Sequence, residues 1–376
     1  MNILHTSDWH FGMVQHKANL YEDQRYFLEQ LYRIIEDECV DAVICAGDVY
    51  DSSVVNAQAI ELYNEAVTRI CMNLKTPFIV IAGNHDSGPR LSACSELLRI
   101  AGLYVSGRLT KELRPIALSD SVDIYAVPFF NREEVISLFP DKAGEIKDME
   151  SATKVYMDYI RENMDKSKVN IVVAHAYIVD SELSESDRAA QVGFASAVSK
   201  RVFDGFDYVA LGHIHKPQKI SDTIRYSGSP VKYSFGKEEK HNKQVVIYNT
   251  DTKEIREIPI SMLHDRKTIE GSYEELLGIC DERNYLRMVI KDKHASLERF
   301  ATLKEKCPLL LELKGLEYEN SGVGAAITID QLERMDETDI LMEFLKEECE
   351  DYEITDEQLA LFKDVVEWSK KEDEIS

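Results

Sequence analysis

The stretch Val40-Asp41-Ala42-Val43-Ile44-Cys45-Ala46-Gly47-Asp48-Val49-Tyr50-Asp51 decides the fold. Its first half is short, apolar and β-branched, the composition of a strand buried on both faces. A glycine then frees the backbone, and the carboxylate of Asp48 follows just past the strand's carboxyl end. In open α/β sheets that edge is where ligands sit. Outward from this stretch the same event recurs four times. Ile3-Leu4 runs into Asp8-Trp9-His10, and Phe78-Ile79-Val80-Ile81 into Gly83-Asn84-His85-Asp86. Ile171-Val172-Val173-Ala174 ends at His175, and Tyr208-Val209-Ala210-Leu211 runs into Gly212-His213-Ile214-His215. Five apolar strands thus bring Asp, Asn or His to one rim, as a fold built around a pair of metal ions would, with Asp48 between them.

Helical periodicity supplies the layers. Phe27, Leu28, Leu31, Ile34 and Ile35 keep helical spacing within about 20–36, and a second helix is expected over about 56–73, completing a βαβ pattern. Residues 105–121 show only a loose pattern before a strand over 122–127, and a charged helix is expected over about 152–164. The segment 180–200 is rich in Ser, Asp, Glu and Ala without periodicity. It reads as a mobile loop near the rim or as a surface excursion. Tyr226 to Pro230 reads as a turn and Gln244 to Tyr248 as a closing strand.

Around 261–266 the character shifts. A helix over 273–280, a strand over 285–290, a helix over 296–306 and a strand over 309–318 suggest a small α+β domain. Thr355-Asp356-Glu357-Gln358 is a capping-box pattern that should start a last helix. Leu359, Leu361, Phe362, Val365, Val366 and Trp368 leave that helix apolar on more than one face, so it needs a surface to bury against.

The chain has 376 residues, enough for two or three domains, with 44% hydrophobic residues. No apolar run is long enough to span a bilayer, and the N-terminus enters a strand at once, so no signal peptide is expected. Seven cysteines without a Cys-x-x-Cys suggest reduced cytoplasmic thiols. The net charge of −24 speaks against a nucleic-acid partner until its distribution is considered. Residues 331–376 hold 17 Asp and Glu against 5 Lys and Arg, half of the excess. Acidity therefore describes the tail, and DNA is not excluded.

The chemistry follows from residue types. Asp8, His10, Asp48, Asn84, His175, His213 and His215 offer carboxylate, amide and imidazole donors without thiolate, a set suited to two octahedral-like ions such as Mn²⁺ rather than a structural zinc. Two metals about 3.5–4 Å apart activate water and stabilise charge on a phosphate in flight. His85 can donate a proton to a leaving alkoxide. The alternatives for it are a further metal ligand or a core histidine, and its place beside Asn84 favours catalysis. Asp86 can orient a histidine or cap a turn or helix. Arg90 lies near enough to touch a phosphate, although an exposed or structural ion pair is the better reading. Phosphoester hydrolysis is the expected reaction.

The order Asp-x-His, Gly-Asp, Gly-Asn-His-Asp, His, Gly-His-x-His resembles that of the calcineurin-like metallophosphoesterases. More narrowly, the chain resembles the nuclease subunits of bacterial ATP-dependent double-strand-break repair complexes. That resemblance rests on His5-Thr6-Ser7-Asp8-Trp9-His10-Phe11-Gly12, Gly47-Asp48-Val49-Tyr50-Asp51, Gly83-Asn84-His85-Asp86-Ser87, Arg90-Leu91-Ser92-Ala93, Tyr226-Ser227-Gly228-Ser229-Pro230 and Ser234-Phe235-Gly236. It covers about 1–240 by motif and the remainder by arrangement. It implies an α/β fold of layered β-sheets flanked by helices, with a small α+β cap domain and a C-terminal helical tail.

The resemblance also implies roles. Asp8, His10, Asp48 and His215 would surround one Mn²⁺, and Asp48, Asn84, His175 and His213 the other, Mg²⁺ or another divalent ion being an alternative. His85 would be the catalytic histidine that is not a ligand, with Asp51 and Asp86 behind the ligands. Asp51 stands where archaeal and eukaryotic counterparts carry a second histidine. Lys237 stands where Glu often follows Ser-Phe-Gly, with no expected consequence for the metals.

The expected domains are a nuclease domain over 1–262, a DNA-binding cap over 263–330 and an acidic tail over 331–376 that grips an ABC-type ATPase subunit. The implied activity is 3′→5′ exonuclease action on duplex ends and endonuclease action on single strands and hairpins. The expected assembly is a homodimer of this chain within a heterotetramer, cytoplasmic and associated with the nucleoid. A phosphatase or cyclic-nucleotide phosphodiesterase acting on a small substrate is the rival enzyme reading, and a metal-binding scaffold without catalysis is a third.

Overall fold

The structure, a computed structural model, describes residues 1–112, 114–179, 181–188, 197–316, 327–328, 355 and 358–363. Two compact units emerge: Met1–Gln15 with Asn19–Asp265, and His16–Ala18 with Arg266–Ser376.

The larger unit is built on two six-stranded sheets. Across the first, the strands run Ile255–Ile260, Lys243–Asn249, Asn2–Thr6, Ala42–Cys45, Phe78–Ile81 and Leu103–Ser106. The last four are mutually parallel. Across the second they run Gln218–Lys219, Ile224–Tyr226, Tyr208–Gly212, Val169–His175, Val122–Val127 and Ile116–Ser119, the middle four parallel. Strand side chains alternate between faces, and this alternation makes the layers. Ile3, Ala42, Ile44, Ile79 and Ile81 of the first sheet share one buried core with Ile124, Ile171, Val173, Tyr208 and Ala210 of the second. On the second sheet's outer face, Val172, Ala174, Val209 and Leu211 pack with Val155, Tyr156, Met157 and Ile160 of the helix Met149–Asn163. The helix Tyr21–Asp37 buries Phe27, Leu28, Leu31 and Ile35. Trp9 stacks on Phe78 and meets Phe27 edge-on.

Elements expected from periodicity are present. The second helix is α-helical over Ala57–Val67 and closes in a π-helical turn, Thr68–Asn73. The loose stretch 105–121 is different: it overlaps two strands, Leu103–Ser106 and Ile116–Ser119. Both are edge strands with mostly half-exposed side chains, and an edge strand lacks the continuous apolar run of a central one.

The smaller unit carries the strands Arg266–Gly271, Tyr285–Ile290, Leu310–Lys314 and Ile327–Thr328, in that order across the sheet. The helices Tyr273–Leu277 and Leu297–Lys306 start on Ser272 and Ser296 as N-caps. Leu276, Leu286, Met288, Phe300, Leu303 and Leu313 form its core. The strand Arg266–Gly271 falls where the sequence shows only a change of character. In the tail, Thr355 and Gln358 bond reciprocally as a capping box: Gln358 N donates to Thr355 Oγ1 (3.3 Å) and Thr355 N to Gln358 Oε1 (3.0 Å). Residues 358–363 are helical, with Leu361 exposed. Val365, Val366 and Trp368 lie outside the described residues.

Candidate active site

Past their strands, the first two rim loops zip together. Asp8 N donates to Gly47 O, His10 N to Asp48 O and Phe11 N to Val49 O, at 2.9–3.0 Å. The loop at Asn84 joins them through Asp86, whose carboxylate accepts from Gly83 N (2.9 Å), Val49 N (3.1 Å) and Tyr50 N (2.9 Å). Asp86 therefore ties two loops together through their backbone, and its bond to Gly83 N, three residues back, is the turn contact that the sequence offered as an alternative. Burial and the charge of Asp48 push its carboxyl up to about 6. The Arg90 guanidinium donates to Ser53 O at 2.5 Å, and among the described residues it forms no ion pair.

The loops meet at close quarters. Gly47 has φ +94°, and a Cβ there would stand 2.4 Å from His175 Nδ1; one on Gly83 would stand 2.1 Å from Asp48 Oδ1. Asp8, His10, Asp48 and His213 themselves hold positive φ, at 53°, 44°, 50° and 102°. Such backbone is costly for residues with a Cβ and concentrates at functional sites.

The seven donors expected from the sequence converge. His10 Nε2 and His215 Nε2 are 3.1 Å apart, and His10 Nε2 is 3.8 Å from Asp48 Oδ2. His175 Nε2 lies 3.2 Å from Asp48 Oδ2 and 3.0 Å from Asn84 Oδ1, which is also 2.9 Å from His213 Nδ1. Asp8 and Asp48 are buried, at 0% and 2% exposure, and no lysine or arginine among the described residues pairs with either. Asp8 accepts from Ser7 Oγ (2.6 Å) and His213 N (2.9 Å), and Asp48 Oδ1 from His85 N (2.9 Å).

Electrostatics match this crowding. Burial raises the Asp8 carboxyl, opposed by His175. At Asp48 burial acts upward, but His175 and His10 outweigh it and hold the carboxyl far below its ordinary value. At His175 burial acts downward, yet Asp48 lifts it to about 9. Burial and His175 bring His213 down to about 3. Buried carboxylates facing imidazole and amide donors, with no fixed cation among them, are a set that fits divalent metal ions. Among the described residues three clusters have metal-compatible spacing: Asp8, His10 and His215; Asp8, Asp48 and His175; and His10, Asp51 and His85.

His85 sits beside this set, edge-on to His10 with ring centroids 4.9 Å apart. Its Nδ1 is 2.8 Å from Asp51 O. Asp51 Oδ1 lies 3.4 Å from His10 Nδ1.

Several groups at the site escape sequence reasoning. Asp187 Oδ1 accepts from His215 N (2.9 Å), and Ser186 Oγ lies 2.8 Å from His215 Nδ1. Both belong to the segment expected to be a loop or an excursion, which forms a short helix, Glu185–Arg188. The pattern Ser184-x-x-Asp187 is the one signal that could have found it: Ser184 N and Oγ each donate to Asp187 Oδ2 at 2.7 Å. Glu238, one position past Lys237, is fully buried with Lys243, Nζ to Oε1 2.6 Å. Burial would raise Glu238, but Lys243 holds it well below the carboxylate range.

Two layered sheets with this rim chemistry match the family described as calcineurin-like phosphoesterase over residues 1–217, and the chain belongs to that family. It is accordingly a metal-dependent hydrolase of phosphoesters. Within that class it is similar to the SbcD subunit of the SbcCD nuclease of Staphylococcus epidermidis, 31% identical over 353 residues, 92% of this chain and 93% of that protein. It is 34% identical over 326 residues to the SbcD subunit of Staphylococcus saprophyticus subsp. saprophyticus, covering 85% and 86%. A solved structure, TT1561 of Thermus thermophilus, aligns over 69% of this chain and 99% of its own, at 13% identity and TM-score 0.41. Among the described residues no helix is long and apolar enough to cross a membrane.

Proposed function

We propose that this chain is the Mn²⁺-dependent nuclease subunit of a two-component DNA repair nuclease. The observation that carries the reading is similarity along nearly the whole chain to proteins named as SbcD subunits of the SbcCD nuclease, and the converging rim residues support it. Asp8, His10, Asp48 and His215 would hold one ion, and Asp48, Asn84, His175 and His213 the other. Bound divalent ions supply Lewis acidity toward a phosphate and a more acidic water.

The remaining work falls to side chains. His175 Nδ1–H donates a hydrogen bond to Ala46 O at 2.8 Å, which leaves the Nε2 lone pair free to face a metal ion. His85 gives Nδ1–H to the Asp51 carbonyl, so Nε2 is the position from which the imidazolium protonates the leaving alkoxide. Behind the ligands Asp86 holds two loops together, and Asp51 lies against the rings of His85 and His10.

The substrates are duplex ends, cut 3′→5′, together with single strands and hairpins. Residues 263–330 serve as the DNA-binding cap, and 331–376 as the tail that binds an SbcC-like ABC-type ATPase. Two copies of this chain then form a heterotetramer with two ATPase subunits, in the cytoplasm at the nucleoid. The test is cleavage of labelled duplex, hairpin and single-stranded DNA with Mn²⁺, with and without a co-expressed ATPase. Hydrolysis of small phosphoesters with all three DNAs left intact would overturn the nuclease reading in favour of a small-substrate phosphoesterase.

A further inference from the structure

A buried chain of polar groups runs away from the rim behind His215. His215 Nδ1 is 2.8 Å from Ser186 Oγ, and Ser186 Oγ donates to Glu238 Oε2 at 3.0 Å. The same carboxylate oxygen accepts from Ser234 N (2.8 Å) and Ser234 Oγ (2.6 Å). Lys243 Nζ donates to Glu238 Oε1 at 2.6 Å, to Ser229 Oγ at 2.7 Å and to His215 O at 3.0 Å. Glu238 and Lys243 have no solvent exposure.

Proton counting gives this chain a direction. A serine hydroxyl has one proton to donate. Ser186 Oγ also lies 2.9 Å from Ser184 Oγ, whose own proton goes to Asp187 Oδ2. With the Ser186 proton on the charged Glu238 carboxylate, Ser186 Oγ accepts from the imidazole, so Nδ1 carries the proton. Asp187 Oδ1, 3.7 Å from Nδ1, favours the same tautomer. The lone pair then belongs to Nε2, the atom that faces His10 Nε2 and the Asp8 cluster. Asp187 completes the hold by accepting the His215 backbone N–H. A fully buried ion pair is an expensive way to stabilise a core, because desolvation consumes most of the attraction. This pair does something else: Lys243 keeps a carboxylate ionised at the end of a hydroxyl that touches the ring.

We propose that Ser186 and Glu238, neutralised by Lys243, are positioning residues that lock His215 in its metal-binding tautomer and orientation. The relay rests on the reading of His215 as a ligand. It also gives the 184–187 segment a purpose, since this stretch delivers both the hydroxyl to the ring and the carboxylate to the backbone. Outer partners of this kind set ring orientation and ligand basicity, and losing one costs about 10–100-fold in metal affinity.

The test is Mn²⁺ titration calorimetry on the full chain after chelator treatment, alongside the melting temperature of the metal-free protein. Ser186→Ala should weaken one of the two Mn²⁺ sites by about 10–100-fold and leave the metal-free melting temperature unchanged. Ser186→Thr, which keeps the hydroxyl, should restore affinity. Glu238→Gln would keep an amide oxygen that accepts from Ser186, so the acceptor is removed together with its charge partner in Glu238→Met/Lys243→Met, which should show the same one-site loss. If Ser186→Ala binds both ions as the unaltered protein does, or only lowers the metal-free melting temperature, the relay is overturned. His215→Ala separates the two layers of argument: undiminished Mn²⁺ binding in that variant would remove the ligand reading itself, whereas a lost site beside a silent Ser186→Ala would remove the relay alone.

Discussion

His85 and Asp51 are joined by a 2.8 Å hydrogen bond from the imidazole Nδ1 to the backbone carbonyl. A carbonyl only accepts, so the ring's tautomer is set by the main chain and does not depend on which acid occupies position 51. His85→Leu should therefore retain both metal ions and bind DNA, while turnover falls by about 10²–10⁴-fold for want of the leaving-group proton. Elemental analysis beside single-turnover cleavage checks this. A missing metal equivalent would instead make His85 a ligand, in the cluster it forms with His10 and Asp51.

Asp48 faces both histidine groups, 3.2 Å from His175 Nε2 and 3.8 Å from His10 Nε2. Asp48→Ala should lose metal occupancy and activity with the fold intact, because the residue lies on the rim beyond its strand. Two equivalents of bound Mn²⁺ in the purified variant would overturn the reading of Asp48 as a bridge.

Gly83→Ala places a methyl group 2.1 Å from Asp48 Oδ1. The loop has to move, and overpacking of this kind costs about 1–3 kcal/mol. Urea denaturation should show that loss, and metal affinity should fall with it. Unchanged stability and affinity would mean that the three loops do not depend on this contact.

In the smaller unit Arg287 Nε donates to Glu312 Oε2 at 2.6 Å across paired strands. Burial would raise the Glu312 carboxyl, but His16 and Arg287 outweigh it and bring it down to about 2. A depressed carboxyl stabilises the fold above its unfolded value near 4.5, and that contribution is lost as pH falls toward 2. Arg287→Gln should thus destabilise at pH 7 and differ progressively less from the parent below pH 4. An equal deficit in denaturant midpoint at pH 7 and pH 3 would argue against this origin.

Truncation after about Asp330 should leave an Mn²⁺-dependent nuclease that no longer co-purifies with its ATPase. Cutting of single strands should persist, and ATP-stimulated processing of duplex ends should vanish. A lowered melting temperature of the isolated subunit would show instead that the 359–368 face packs on its own chain.

The donors were legible in the sequence because each follows a short apolar strand, a local pattern that needs no knowledge of partners. The two-sheet packing is what brings His175, His213 and His215 against Asp8, Asp48 and Asn84. Residues at an edge were harder to read, as Leu103–Ser106 shows: half-exposed strands carry a diluted alternation. Glu238 and Lys243 were not legible as parts of the site, and Ser186 and Asp187 only through the Ser184-x-x-Asp187 pattern. Ser186, Asp187 and Lys243 lie 28 or 29 residues from His215 in the chain, and nothing in a run of serines or a surface-like Lys-Glu-Glu-Lys announces burial. Positive φ at four rim residues was equally silent, since Asp and His carry no signature of it as glycine does.

The rim draws Asp8, His10, Asp48 and Asn84 from loops of the first sheet and His175, His213 and His215 from the second. A cation held by that set is a rivet driven through two plates. Separating the sheets forfeits its binding energy, so ligand at a hundred times its dissociation constant adds about 2.7 kcal/mol against opening. Amide exchange in both sheets should slow together as Mn²⁺ is added, although the ions touch neither core. On that reading the chain would sense its own divalent supply: starved of metal it would not merely fall idle but loosen along the seam between its halves.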